Sequence, residues 1–208
     1  LISVSNKENL TTLLKTLKRF NVNIISSGGT YASIKKMGFK CTELSKYTGF
    51  KEMLDGRVKT LHPKVFGGIL SRREMDSDVA QLEEFEIPEI DMVIVDLYPF
   101  EDTVQSGASH QDIIEKIDIG GISLIRAAAK NYKDVLTISS KKDYKPVLDL
   151  LRSNNGQTTL EERKRFAMRA FDVSSHYDSS IYSYFSNNNE SLKVSLSNSK
   201  KLRYGENP

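Results

Sequence analysis

Residues 1–38, LISVSNKENLTTLLKTLKRFNVNIISSGGTYASIKKMG, decide the fold class. Leu1 to Val4 is a short apolar run of strand type. Ser5 and Glu8 follow at the spacing of a capping box, in which each side chain satisfies the other's free backbone N–H. Leu10, Leu13, Leu14 and Leu17 then recur at helical spacing, and the pattern ends at Phe20. Val22 to Ile25 is a second strand-type run. It leads straight into Ser26-Ser27-Gly28-Gly29-Thr30, after which Ala32 to Met37 reads as a helix stopped by Gly38. Two strand–turn–helix units in succession call for a parallel sheet with crossover helices.

Working outward, Thr48 to Leu70 is rich in Gly and Lys, lacks clean periodicity, and reads mainly as a long loop. Such loops in compact domains are functional or disordered. Asp78 to Phe85 is a predicted helix, and Met92 to Val95 a strand ended by Asp96-Leu97-Tyr98-Pro99-Phe100. A further irregular stretch leads to Ile117-Asp118-Ile119-Gly120-Gly121. Beyond it, Ile122, Ile125, Ala128 and Ala129 mark one face of a helix reaching Asn131. Val135 to Ile138 is a strand and Tyr144 to Leu151 a helix. From Thr159 the pattern is wholly helical, opened by a second capping-box pair, Thr159 and Glu162. The stripe Phe166, Ala167, Ala170, Phe171, Ser174, Tyr177, Ile181 and Tyr184 predicts core packing along a helix of about seven turns. Asn187 to Lys201 is Ser/Asn-rich and reads as a linker. The expected architecture is α/β: a mostly parallel sheet flanked by helices, with a long C-terminal helix, over residues 1–186. Residues 187–208 form a linker and the start of something further.

The chain has 208 residues, enough to bury about 70% of its unfolded surface without staples. No apolar run approaches the roughly 18–20 residues of a membrane span, and the opening decapeptide lacks the basic region of a signal peptide. A soluble protein of a reducing, cytoplasmic compartment is expected. A single cysteine, Cys41, excludes a disulfide framework and a thiolate metal cage, and reads as a small buried hydrophobe. Three scattered histidines (His62, His110 and His176) argue against a histidine-rich metal site, so no metal is expected. The charge is +3, from 30 basic and 27 acidic residues spread along the chain. Nucleic acid is not an expected partner, because a basic stripe with interleaved aromatics is missing. The charge suits either a small anionic ligand or an ordinary solvated surface.

Several segments can carry chemistry. Ser27-Gly28-Gly29-Thr30, between strand and helix, has the makings of a phosphate cradle, since free N–H groups at a helix start and hydroxyls converge there. Taken alone it serves equally as a Gly-Gly turn. Lys7, after the first strand, is placed to reach the same side, because ligands gather at the carboxyl ends of parallel strands. Gly56-Arg57-Val58-Lys59-Thr60-Leu61-His62-Pro63 gathers two cations, a hydroxyl and an imidazole. Its plain alternative is a solvated loop with His62 stacked against Pro63. Asp118 has a structural use as the N-cap of the following helix, Lys130 suits that helix's C-terminal dipole, and Tyr98 beside Pro99 suits a turn.

Together, SVSNK, SSGGT, TGFKEMLDGRVKTLHP, GGIL, DLYPF, IDIGG and LIRAAAKNY occur in the order and rough spacing of one family. The chain resembles the N-terminal IMP cyclohydrolase domain of the bifunctional purine-biosynthesis enzyme that also carries AICAR formyltransferase activity. The resemblance implies a methylglyoxal-synthase-like α/β fold and a reaction in which FAICAR closes its second purine ring and loses water to give IMP. It implies neither cofactor nor metal for that step. Lys59, Tyr98, Asp118 and Lys130 match the family's reactive-end residues. Ser5, Lys7, Ser27, Gly28, Gly29 and Thr30 match its 5′-phosphate contacts, with Arg57 and Thr60 near the nucleotide; Asn6 and Ser26 are set aside as replaceable neighbours. The terminal LRYGENP resembles the opening of the formyltransferase domain, so a longer homodimeric protein using 10-formyltetrahydrofolate is implied, in keeping with the missing initiator Met. Two other readings share the fold: a methylglyoxal-synthase-type lyase, and a nucleotide- or metabolite-sensing module like that of carbamoyl-phosphate synthetase. The first lacks DGRVKTLHP and the tail, and the second needs only the cradle.

Overall fold

The computed structural model describes residues 1–186 together with Lys193 and Ser195. Apart from those two residues, the expected linker and following segment, 187–208, lie outside the described part. Five short parallel strands form the sheet: β1 (Ile2–Ser3), β2 (Ile25–Ser26), β3 (Thr42–Glu43), β4 (Met92–Val95) and β5 (Leu136–Ile138). Their spatial order is β3-β2-β1-β4-β5, with Ile2 opposite Ser26 on one side and Ile94 on the other. The chain thus winds outward from β1 in one direction, then returns to β1's other edge and winds away. At such a reversal the loops leaving the two central strands diverge and open a crevice at their carboxyl ends.

Helices cover both faces. On one lie α1 (Leu10–Arg19), α2 (Gly28–Lys36) and α9 (Tyr144–Ser153). Leu10, Leu13, Leu14, Leu17, Ile34, Val147 and Leu151 pack there against Ile2, Val4, Ile94 and Ile138. On the other lie α4 (Pro63–Leu70) and α8 (Gly120–Lys130), whose Val65, Ile69, Leu124, Ile125 and Ala128 meet Val93, Val95 and Val135. The alternation along β4, with Ile94 to one core and Val93 and Val95 to the other, is the period of two that a strand imposes. The 26-residue α10 (Leu160–Phe185) runs along α8 and β5. Its predicted stripe is largely core: Phe166, Ala167, Ala170, Ser174 and Tyr177 are buried, whereas Phe171 emerges to lie under the Arg126 guanidinium. No helix among the described residues is long and apolar enough to cross a membrane.

The structure departs from the sequence reading at several points. Ser5 and Glu8 form no capping box. Asp96 takes the Ser5 N–H, Glu8 pairs with Lys141 at 2.8 Å, and α1 begins after Asn9, which has φ 60. The last third of the predicted 48–70 loop is α4, started by Pro63 and capped by His62, whose Nδ1 accepts the Lys64 N–H at 3.1 Å. Short elements at β3, α3 (Leu44–Thr48), α6 (Phe100–Gln105) and α7 (His110–Ile114) escaped the periodicity, and the predicted 78–85 helix is α5 (Asp76–Glu84). Cys41 is half-buried against the first core rather than wholly inside it, and burial pushes its thiol up to about 11.

The second capping box forms as read: Thr159 accepts the Glu162 N–H at 3.2 Å, and Glu162 accepts the Thr159 N–H at 2.7 Å. Thr159→Ala is expected to cost about 1 kcal/mol and lower Tm by about 2–4 °C in a thermal melt. An unchanged melting curve would contradict this reading of the α10 start.

Candidate functional site

The crevice at the β1–β4 reversal is organised by Asp96, the first residue after β4. Its carboxylate accepts the backbone N–H of Ser5 and, at 3.2 Å, that of Asn6, tying the loop after β1 to the end of β4. Lys7 folds back over the same strand end, donating to the carbonyls of Val4 and, at 3.0 Å, Ser5. Partial burial holds the Lys7 ammonium below the usual lysine range, and the Lys59 charge pushes the same way against the attraction of Asp96. Across the crevice Thr30 uses its hydroxyl on β1, accepting from Val4 N at 3.1 Å and donating to Val4 O at 2.8 Å. Its side chain therefore fastens α2 to β1. The free donors of this cradle are the backbone N–H groups of the first turn of α2, where Ser27 makes no side-chain cap. Ser26 and Asn6, the neighbours left out of the candidate set, have structural bonds: Ser26 donates to Ile2 O at 2.6 Å, and Asn6 accepts the Glu8 N–H at 2.8 Å.

The loop 49–62 closes the other side. Within it an antiparallel bridge, Met53 to Val58, closes a turn in which Leu54, Asp55 and Gly56 all have positive φ. The turn delivers Lys59 to the cradle: a Cβ built on Gly28 would stand 3.6 Å from Lys59 Nζ. Ser27, Gly28, Phe50, Lys51, Glu52 and Lys59 line a cleft of ≈ 310 Å³ there. Thr60, 4% exposed, packs on the start of α8 so closely that a Cβ on Gly120 would lie 2.5 Å from its hydroxyl. His62 caps α4, its ring 6.0 Å from that of Phe50. The helices α2, α4 and α8 thus present their N-termini around residues 59–62, a field suited to an anionic ligand. Arg57 is exposed and paired with Glu115 at 2.6 Å.

Asp118 arches over the first turn of α8, where its Oδ1 accepts the Gly121 N–H at 2.6 Å. A Cβ on Gly121 would lie 2.5 Å from the same carboxylate, so both glycines of IDIGG are there to let side chains come close. Burial raises the Asp118 carboxyl above its usual range, with Asp96 adding to the rise. The backbone N–H groups of Gly121 and Tyr98 and the Lys59 charge oppose it. Burial, and then the charge of Asp118, push the Tyr98 phenol up as well, which keeps it a proton donor at neutral pH. Behind Asp118 stands Tyr177 of α10, whose hydroxyl accepts the Asp118 backbone N–H at 3.0 Å.

The structure therefore brings together Ser5, Lys7, Ser27, Gly28, Gly29, Thr30, Lys59, Thr60, Tyr98 and Asp118. Thr30 bonds β1 through its hydroxyl, Thr60 packs on the start of α8, and Arg57 is exposed beside Glu115. Lys130 stands at the other end of α8. It is exposed at the C-terminal end of α8, ten residues from Gly120, or about 15 Å along the helix axis. Asp96 and Tyr177 are the residues sequence reasoning missed. A larger hollow of ≈ 430 Å³ beside α5, lined by Val79, Leu82, Ile87 and Pro88 with three glutamates, has no comparable convergence of donors and lies outside this crevice. Among the described residues, no group of three or more His, Cys, Asp or Glu is placed to hold a metal ion.

The raised Asp118 has a consequence for stability. Its folded carboxyl keeps its proton to higher pH than the unfolded chain does, so the native state binds more protons across that window and stability falls as pH rises through it. Asp118→Asn keeps an oxygen for the Gly121 N–H and removes the buried charge. Its Tm is expected to exceed that of wild type at about pH 7 and to match it at about pH 3, where the wild-type carboxyl is protonated in both states. A variant less stable at neutral pH than at acid pH, relative to wild type, would contradict the burial account.

Residues 9–123 match the MGS-like domain family, and residues 128–208 match the AICARFT/IMPCHase bienzyme family. Over its whole length the chain is 54% identical to the bifunctional purine biosynthesis protein PurH of Bacteroides thetaiotaomicron and 46% identical to that of Oceanobacillus iheyensis, covering 41% and 42% of those proteins. It spans about two fifths of the length of the curated relatives it matches. Its fold superposes on the crystal structure of ForH with a TM-score of 0.76 at 35% identity, over 88% of this chain and 94% of that one. The parallel sheet, the helices on both faces and these matches agree on one lineage: the chain belongs to the MGS-like domain family, in the group that forms part of the PurH proteins.

Proposed function

We propose that this chain is the IMP cyclohydrolase part of a bifunctional purine-biosynthesis enzyme, closing FAICAR to IMP with loss of water. The observation that carries the proposal is the meeting of Lys59, Tyr98 and Asp118 beside the open first turn of α2. The cradle formed by Ser27, Gly28 and Gly29, with Lys7 at its side, takes the 5′-phosphate. The reactive end of the nucleotide then lies toward Lys59 and Asp118.

A carboxamide nitrogen is a poor nucleophile, so the first requirement is to hold it against the formamide carbon of the same molecule. The new N–C bond forms as the formyl oxygen takes up negative charge, and the Lys59 ammonium is the nearest fixed cation. Tyr98, beside the Asp118 carboxylate, relays the proton lost from the attacking nitrogen to the formyl oxygen, giving the carbinolamine hydroxyl. Asp118 takes up the proton of the second ring N–H and delivers it to that hydroxyl as the C–O bond breaks. The C=N bond forms, water leaves with the two protons the nitrogens have lost, and Asp118 and Tyr98 return to their starting states. Lys130 joins this set by resemblance, which implies a role for it at the formyl oxygen and the leaving water.

A formyltransferase activity using 10-formyltetrahydrofolate belongs, on this reading, to the remainder of a longer protein, together with a homodimeric, cytoplasmic assembly. The lyase and sensing-module readings explain the cradle but give Lys59, Tyr98 and Asp118 no joint task. The test is to add FAICAR to the chain and follow IMP formation by absorbance beside Lys59→Ala. The variant is expected to lose about two to four orders of magnitude in rate, the range for a positioned proton-transfer or oxyanion group. Nucleotide binding without turnover by the wild type would favour the sensing module instead.

A further inference from the structure

Asp118 lies on a loop between α7 and α8 and does not hold itself in place. Its carboxylate is engaged with the start of α8, and its own backbone is held from the far side by α10. The Tyr177 hydroxyl accepts the Asp118 N–H at 3.0 Å and donates to the Lys116 carbonyl at 2.6 Å, spanning both ends of the three-residue stretch 116–118. Tyr177 is 8% exposed, and its ring packs edge-on against Phe100 at 6.1 Å, the residue that opens α6 two positions after Tyr98. One side chain of α10 therefore touches both segments that carry a proposed proton-transfer group: Asp118 through its hydroxyl, and the Tyr98 segment through its ring.

We infer that Tyr177 is a positioning residue for the reaction, holding the Asp118 peptide so that its carboxyl faces Lys59 and Tyr98. The inference rests on the cyclohydrolase reading for its catalytic consequence but not for its geometry. Tyr177 meets no reacting atom itself. Burial pushes its phenol up to about 12, so it remains a neutral donor and acceptor through the working pH range. Without the hydroxyl, the Asp118 N–H and the Lys116 carbonyl lose their partner in a half-buried place, and the loop relaxes toward water to satisfy them. Asp118 then becomes better solvated and its separation from Lys59 and Tyr98 is no longer set. A displacement of about 1 Å at a reacting group can cost on the order of a hundredfold in rate.

The experiment compares Tyr177→Phe with Tyr184→Phe. Tyr184 lies two turns further along the same helix, and its hydroxyl bonds His110 Nδ1 at 2.8 Å instead of the Asp118 loop. Both keep the aromatic ring, and melts set the fraction folded. Tyr177→Phe is expected to lower kcat by about 10- to 100-fold with KM within about threefold, while Tyr184→Phe retains wild-type kcat per folded molecule. The second readout does not need turnover. In protein carrying 13C-labelled aspartate, the Asp118 carboxyl is followed by NMR titration. Lys59, Asp96 and Tyr98 face the same group and stay in place, so the titration should move to lower pH in Tyr177→Phe only. An unchanged Asp118 titration, or equal activity losses in the two variants, would overturn the positioning role. If wild type makes no IMP, the cyclohydrolase reading falls, and the titration still decides whether Tyr177 holds Asp118.

Discussion

A carboxylate loses hydration when it is buried, and Asp118 is kept where that loss is only partly repaid. Its two opposing influences come from different parts of the chain: the N-terminus of α8 and the Lys59 ammonium favour its charge, while burial and Asp96 disfavour it. Much of the surrounding structure serves that balance. Gly120 and Gly121 leave room for Thr60 and for Asp118 itself, the 53–58 turn carries Lys59 across the crevice, and α10 closes the back of the loop with Tyr177. A balance of this kind raises a carboxyl group above its usual range and suits it to exchange a proton.

The sheet supplies the frame. With order β3-β2-β1-β4-β5, the loops after β1 and β4 diverge at a single place, and Asp96 fastens one to the other through two backbone N–H groups. The same place receives the N-termini of α2, α4 and α8. Helix starts leave N–H groups without intrahelical partners, so donors suited to an anionic ligand are fixed in direction there by rigid elements. The two apolar cores, one on each face of the sheet, keep those elements from shifting relative to one another.

Local pattern made much of this legible. The leucines of α1, the apolar run of β4 and the Thr159–Glu162 box each depend on neighbours within a few residues, and each stands where its pattern places it. The Ser5–Glu8 box failed for a tertiary reason: Asp96, 91 residues away, and Lys141, 133 residues from Glu8, took the groups the box would have used. β3, α3, α6 and α7 are six residues or fewer, too short for a period to declare itself. In the site, the glycine cradle, Lys59 and Asp118 stood out by residue type and motif. Asp96 and Tyr177 did not, because a buttress is recognised only by what it touches, and Tyr177 reaches its partners across about sixty residues.

The most direct measurement is a crystal structure of this chain with IMP bound. The phosphate is expected on the N–H groups of Gly28 and Gly29, and the purine ring within contact of Lys59 and Asp118. A nucleotide whose phosphate sits away from the start of α2, or whose ring lies away from Asp118, would contradict that site.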